Sequence, residues 1–346
     1  MSGKTRVQFP FFSQEELREA GLTMKVALEA VEQTFRLYGE GKVILPDKMI
    51  LDLNEKERGR INGLCAYVGG DMDLCGLKWI ASFPHNPAAY GLPRATALLI
   101  LNDSWKGVPL AVMDGTLISA LRTGAVAGIS AKYLAKKDSV VAALIGTSVI
   151  ARSSACALKE TLPHVTEMRV YSIDPSEKRE RFASELSDEL KRSVMSVDTP
   201  EKAVKGADVI VTATTADERI VRNQWVGRGT LFVHLGSYQE EDYETITSSN
   251  KIVVDSWDAV KHRGTPVLAK MHREGIIRDE DIYAEIAEIV CGKKKGREYA
   301  DERIFCLPIG LGMLDIGLAG RVYKMAIARG FGHPLKLWET PDRYSA

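Results

Sequence analysis

The sequence predicts an α/β protein of two domains: an α+β domain on mostly antiparallel strands, and a doubly wound parallel sheet with helices on both faces. Three observations predict it. Strand-like segments follow one another without intervening helices between about residues 46 and 115, and the texture changes near Ser119 to a helix of small residues. From Val140 onward, strand and helix signals alternate. A chain of 346 residues accommodates two domains at roughly 100–200 residues each.

Taken in order, Ser13 followed by Glu16 is a capping box that opens a short helix. A second helix runs over about 23–38, with apolar Val26, Ala27, Ala30, Val31 and Phe35 on one face, and Gly39 and Gly41 stop it. KMILDL, RINGLCAYVGG, CGLKWIASFP, RATALLILND and VPLAVMDG then read as strands punctuated by Gly, Pro and Asn-Asp turns. ISALRTGAVAGISAKYL is helical. VVAALI (140–145) is a continuous apolar run, as expected of a strand buried on both faces of a parallel sheet. MRVYSID, the charged helix SEKRERFASELSDEL, ADVIVTATT, TLFVHLG and KIVVDS continue the alternation of a Rossmann-type domain. That domain is expected over 125–315. The apolar helix GLGMLDIGLAGRVYKMAIARG is expected to pack back on the first domain, which then comprises 1–124 with 316–346.

Composition excludes several function classes. Lys plus Arg is 46 and Asp plus Glu is 46, so the formal net charge is zero. That lacks the basic excess by which nucleic-acid binders neutralise phosphates. Hydrophobic residues at 45% and charged residues at 27% describe a folded globular chain. Cys65, Cys75, Cys156, Cys291 and Cys306 show no CxxC or zinc-like spacing and read as reduced thiols of a cytoplasmic protein. That spacing leads to no expected metal, and since no apolar run approaches the roughly 20 residues of a membrane span, no membrane partner is expected.

After VVAALI come Gly146, Thr147, Ser148, Val149, Ile150 and Ala151. A dinucleotide loop needs glycines for a tight turn and for close approach of the pyrophosphate, which then sits on a helix N-terminus. Here the first glycine and the closing small residue fit, while Ser148 stands at the middle glycine. Asp174 ends the next strand, where a ribose-binding carboxylate belongs; as part of Asp-Pro-Ser-Glu it also reads as a helix N-cap. A carboxylate there repels a 2′-phosphate and favours NAD, although Lys178 and Arg179 keep NADP open. Four cations, Lys48, Lys78, Arg94 and Arg122, sit within or beside apolar segments, where charge is expensive without a partner. If they converge, they form an anion site.

The stretch LKWIASFPHNPAAYGLPRATALLILNDSWKGVPLAVMDGTLISALRTGAVAGISAKYLAKKDSVVAALIG resembles the ornithine cyclodeaminase and mu-crystallin family, with the K, GLP, LND, G-P, DG, RT and Gly-loop landmarks in order. The resemblance implies a homodimer of two-domain subunits. The first domain with the C-terminal helix would form the substrate site and the dimer interface, and the second would bind NAD(P). It implies oxidation or reduction of a carbon–nitrogen bond at the α-carbon of an amino or imino acid. On the matching positions, Lys78 is the substrate-site lysine, Arg122 the carboxylate-binding arginine, and Lys48 lies near another carboxylate-contacting position. Arg94, in GLPR, looks more like the branch that splits N-(2-amino-2-carboxyethyl)-L-glutamate. Thr123 and Thr214 complete the expected cofactor set with Gly146, Thr147, Ser148, Val149, Ile150 and Asp174.

The physical roles follow. Arg122 can clamp a carboxylate bidentately and so fix the α-carbon hydrogen. Lys78, desolvated beside Trp79 and near other cations, is expected to have a lowered pKa and to exchange a proton with the substrate nitrogen. One departure bears on the reaction. Cyclodeaminases carry an aspartate after the glycines of the fifth strand, and here Ser237, Tyr238 and Gln239 occupy that place. Glu240, Glu241 and Asp242 are expected to be solvent-facing capping charges. The expected activity is therefore an NAD-dependent amino-acid or opine-type dehydrogenase or ketimine reductase. An ornithine-type cyclodeaminase and a non-catalytic crystallin-like binding protein are the alternatives.

Overall fold

The computed structural model describes residues 6–53, 59–216 and 218–340. The chain forms two compact units, residues 1–119 with 311–346 and residues 120–310. Both boundaries fall a few residues before the expected ones. The small-residue helix Thr116–Leu134 begins in the first unit, and the apolar C-terminal helix Gly312–Ala328 lies wholly within it.

The first unit is built on strands β1 (Val7–Phe12), β2 (Val43–Ile44), β3 (Met49–Leu53), β4 (Gly59–Val68), β5 (Leu74–Ser82), β6 (Ala95–Asp103) and β7 (Pro109–Asp114). Together with the terminal strand His333–Trp338 they form one sheet, in the order terminal strand, β1, β7, β6, β5, β4, β2, with β3 also on β4. All neighbours run antiparallel except β1 and β7. The capping box at Ser13 and Glu16 forms, and the second helix spans Met24–Gly39. Period-two burial along β5 turns Leu74, Gly76 and Lys78 inward and Trp79 outward. The inner face is covered by Gly312–Ala328, which packs on β4, β5 and Met24–Gly39. Glycines permit that approach: a Cβ at Gly76 would lie 2.5 Å from Ile316 Cδ1, and one at Gly317 would lie 2.1 Å from Thr34 Oγ1. Neither β1 nor the terminal strand was expected. They pair residues at opposite ends of the chain, and Pro10 breaks the local strand signal.

The second unit contains β8 (Val141–Ile145), β9 (Glu167–Tyr171), β10 (Ser193–Ser196), β11 (Val209–Thr212), β12 (Leu231–His234), β13 (Lys251–Val254), β14 (Ala284–Glu285) and β15 (Ile304–Leu307). Their order is β10, β9, β8, β11, β12, β15, β13, β14, and every pair is parallel. This is the Rossmann-type sheet, and its order reverses between β8 and β11, where such folds bind ligands. Strands β11, β12, β13 and β15 are buried at every position, as two covering helical layers demand. Ile145, Ile210, Phe232, Phe305 and Leu307 belong to the core, with the Phe232 and Phe305 rings 5.5 Å apart.

Candidate active site

In the second unit, Gly146 turns out of β8 with φ +120°, a conformation that favours glycine, and a Cβ there would lie 2.8 Å from the Ala213 carbonyl oxygen. Ser148 needs no such freedom. Its φ is −82°, and it is the N-cap of helix Val149–Thr161, accepting from Ala151 N–H at 3.2 Å. Its hydroxyl also donates to the Ala213 carbonyl at 3.2 Å. Ser148 and Val149 are exposed, so a glycine turn leads to an open helix N-terminus of the kind that receives phosphate.

Asp174 is not an N-cap, because Pro175 takes that position in helix Ser176–Leu190. Its carboxylate accepts from Ser172 Oγ at 3.0 Å, Lys178 Nζ at 2.6 Å and Thr147 Oγ1, which ties it to the glycine turn. Partial burial pushes this carboxyl up, but the bonds from Lys178, Thr147 and Ser172 outweigh it and hold it below the ordinary range. Arg179 donates to the carbonyls of Asp174 and Ser172 instead. Gly124 lets helix Thr116–Leu134 meet Val149–Thr161, since a Cβ there would fall 2.4 Å from the Ser153 carbonyl carbon. That close packing brings the segment of Arg122 and Thr123 beside the loop helix.

Thr214 faces inward. Its N–H and hydroxyl both donate to Glu240 Oε1, the former at 2.8 Å, and Thr212 Oγ1 donates to Oε2 at 2.8 Å. Glu240 and Glu241 have 0% exposure, contrary to the expected solvent-facing caps. Their partner is His234, equally buried, whose Nδ1 is 2.8 Å from Glu241 and whose Nε2 is 3.6 Å from Glu240. Burial lowers the affinity of this imidazole for a proton, but the two carboxylates prevail and raise its pKa to about 9. Asp242 alone of the acidic run sits partly in solvent, paired with Arg222 at 3.0 Å.

Arg122 is 8% exposed and lies against Gly310, where a Cβ would come within 2.3 Å of Nη1. The Gly310 and Ile309 N–H groups are held at 2.8 and 3.1 Å by the buried Asp255 carboxylate. Burial pushes that carboxyl up to about 6 against the pull of these bonds. Arg263 donates to the Ile309 carbonyl and, at 3.0 Å, to Ser237 Oγ, while Gln239 donates to the Thr265 carbonyl. The neutral loop 237–239 thus offers no carboxylate.

In the first unit, Lys78 is 1% exposed. Its ammonium donates to Asp315 Oδ2 at 2.7 Å and to Ser119 Oγ at 3.1 Å. Trp79 is 39% exposed on the opposite face, so the amine does not lie beside that ring as expected; one near partner is a carboxylate. Lys48 precedes Met49, which pairs with Gly63 beside the Leu64–Lys78 pair. It therefore lies at the level of Lys78, two strands away, about 10 Å. Arg94 is exposed and lies five residues before Leu99, the partner of Lys78, roughly 16 Å along the strand. Lys48 and Lys78 thus share a level in the first unit, Arg94 stands at the end of its sheet, and Arg122 belongs to the second unit.

A sequence profile of the ornithine cyclodeaminase/mu-crystallin family matches residues 11–330. The chain belongs to this family. One member, an alanine dehydrogenase of Archaeoglobus fulgidus, is 36% identical over 94% of this chain and 98% of its own length. N-((2S)-2-amino-2-carboxyethyl)-L-glutamate dehydrogenase of Staphylococcus aureus is 28% identical over 95% and 98%. Among solved family structures, Thermococcus litoralis Δ1-pyrroline-2-carboxylate reductase, in complex with NADH and L-proline, has a TM-score of 0.87 and 34% identity over 94% of this chain and 99% of that one.

Asp315, Glu240, His234 and Asp255 were missed from sequence. A signal existed for Asp315: it is a lone carboxylate in an otherwise apolar helix run, GLGMLDIGLAG.

Proposed function

We propose that this protein is an NAD-dependent oxidoreductase that acts on the C–N bond of a small α-amino or imino acid. The carrying observation is the buried Lys78–Asp315 pair with Ser119 beside it. Two charges out of water are expensive, and a pair so placed suits proton exchange with a substrate nitrogen. NAD, when bound, supplies the acceptor or donor of hydride at the substrate α-carbon. Gly146, the helix N-terminus at Ser148 and Asp174 would hold it, and the paired carboxylate of Asp174 favours NAD over NADP. Arg122 binds the substrate carboxylate, with Lys48 and Arg94 as further contacts for a second acidic group. Lys78 and Asp315 act together: in oxidation the Lys78 ammonium passes a proton to the Asp315 carboxylate as it takes one from the substrate amine, and in reduction the relay runs backward to the imine nitrogen; after oxidation, water adds to the imine and releases the oxo acid and the amine. Loop 237–239 lacks a carboxylate to handle a side-chain amine, which favours a dehydrogenase or reductase over a cyclodeaminase.

The first unit also exposes an apolar sheet face. Met49, Leu51, Trp79 and Leu98 are 60, 46, 39 and 50% exposed, and Met49, Gly63, Trp79 and Leu98 form a continuous cross-strand row. A second copy of the chain covers it in the proposed homodimer. The cysteine spacing, without a metal or disulfide pattern, supports a reading of reduced thiols in the cytoplasm.

The test is absorbance of NADH across amino acids, opines and cyclic imines. Net formation or consumption of NADH with at least one substrate is expected. Turnover without net NADH would assign a cyclodeaminase, and a cofactor never reduced or oxidised would assign a binding protein.

A further inference from the structure

Beneath the loop that follows β11 lies a network of buried charge that the proposed chemistry does not use. We infer that Glu240 is a positioning residue for the cofactor site, the strut that sets the Thr212–Thr214 segment against the glycine turn. The inference rests on the cofactor reading above.

Glu240 uses both carboxylate oxygens on this segment: Oε2 accepts from Thr212 Oγ1 at 2.8 Å, and Oε1 accepts from Thr214 N–H at 2.8 Å and from Thr214 Oγ1. Fixing both polar groups of Thr214 leaves its Cγ2 methyl one orientation, toward Gly146. A Cβ on Gly146 would lie 3.5 Å from that methyl and 2.8 Å from the Ala213 carbonyl oxygen. Ala213 also receives the Ser148 hydroxyl. Contacts therefore run from Glu240 through Thr214 and Ala213 to the turn and helix cap that would face a pyrophosphate.

The carboxylate is built in. A Cβ at Gly236 would overlap it, at 2.0 Å from Oε2. His234 supplies the compensating charge at 3.6 Å and is itself held by Glu241 at 2.8 Å. An acid this deep needs such partners to stay in place.

The experiment measures the Kd for NADH by quenching of tryptophan fluorescence, alongside the melting temperature without cofactor, for wild type, Glu240→Gln and Thr214→Val. Loss of a charge-assisted acceptor predicts a Kd raised about tenfold in both variants, with apo melting of Glu240→Gln within a few degrees of wild type. Thr214→Val keeps a methyl toward Gly146 but removes the hydroxyl that Glu240 holds, so equal weakening in the two variants supports the strut. A wild type that binds NADH with both variants unchanged overturns this inference alone. Wild type that fails to bind NADH overturns it together with the cofactor reading. A Kd that rises only in step with lost melting temperature makes Glu240 a folding residue and overturns the positioning role.

Discussion

Ser148 stands where a dinucleotide loop has its middle glycine, and its ordinary negative φ shows why no glycine is required. The side chain is turned to cap the helix, and glycine at an N-cap costs only a few tenths of a kcal/mol. Ser148→Gly should leave the Kd for NADH within about threefold of wild type; a loss well beyond that in titration would mean that the hydroxyl itself holds the cofactor. Asp174 has the opposite weight. Asp174→Asn removes a charged acceptor and is expected to raise the NADH Kd by roughly tenfold or more and to narrow the preference for NAD over NADP, read as the ratio of kcat/KM values. Lys78 and Asp315 make a sharper case, because both are buried. Asp315→Asn replaces the carboxylate 2.7 Å from the buried ammonium with a neutral amide and should cost about 3–5 kcal/mol of stability. Lys78→Met combined with Asp315→Leu should regain stability in denaturant melts while activity stays lost, which separates the pair's chemistry from its place in the fold. A double variant that keeps turnover would remove Lys78 from the reaction.

At the scale of elements, the end of β12 and the segment after it form a pH-sensitive cluster. His234 is raised to about 9 from an ordinary value of 6.5, facing Glu240 and Glu241, with the Arg263 charge opposing. A base whose folded pKa exceeds its unfolded one contributes stability fully present below about pH 6.5 and lost as pH rises through about 9. Thermal melts should therefore fall by several degrees between pH 7 and 10, and His234→Gln should flatten that fall. A wild-type profile as flat as the variant's would contradict the cluster's charge state. The elements themselves were largely legible. VVAALI and the central Val209–Val211 and Ile252–Val254 of the next strands are continuous apolar runs because helices cover both faces of their sheet, and the spacing of Ser176–Leu190 matched its helix. What escaped was non-local. The terminal strand His333–Trp338 is exposed at all six positions and carries no burial period to read. The acidic run Glu240–Asp242 read as solvated, since nothing in its own letters announces His234, Thr212 or Thr214. In the same way, Lys78 was legible as a costly charge, but its partner lies 237 positions away in sequence.

For the whole molecule, net neutrality is an average over buried pairs and cations set at particular places, so it neither argues for nor against the proposed carboxylate site. The exposed row Met49, Trp79 and Leu98 belongs to this scale as well. If the proposed dimer forms there, Leu98→Glu shifts it to monomer in light scattering, with little change in the melting of the first unit's core; a wild type already monomeric at micromolar concentration would contradict the proposed dimer. In the proposed reaction, hydride moves between the substrate α-carbon and NAD and stays there. It is tested most directly by supplying an accepted amino acid deuterated at the α-carbon and following the label by mass spectrometry. Deuterium is expected in NADH in a one-to-one ratio with the oxo acid formed. Deuterium returned to a cyclised amino-acid product, with no labelled NADH accumulating, would contradict it.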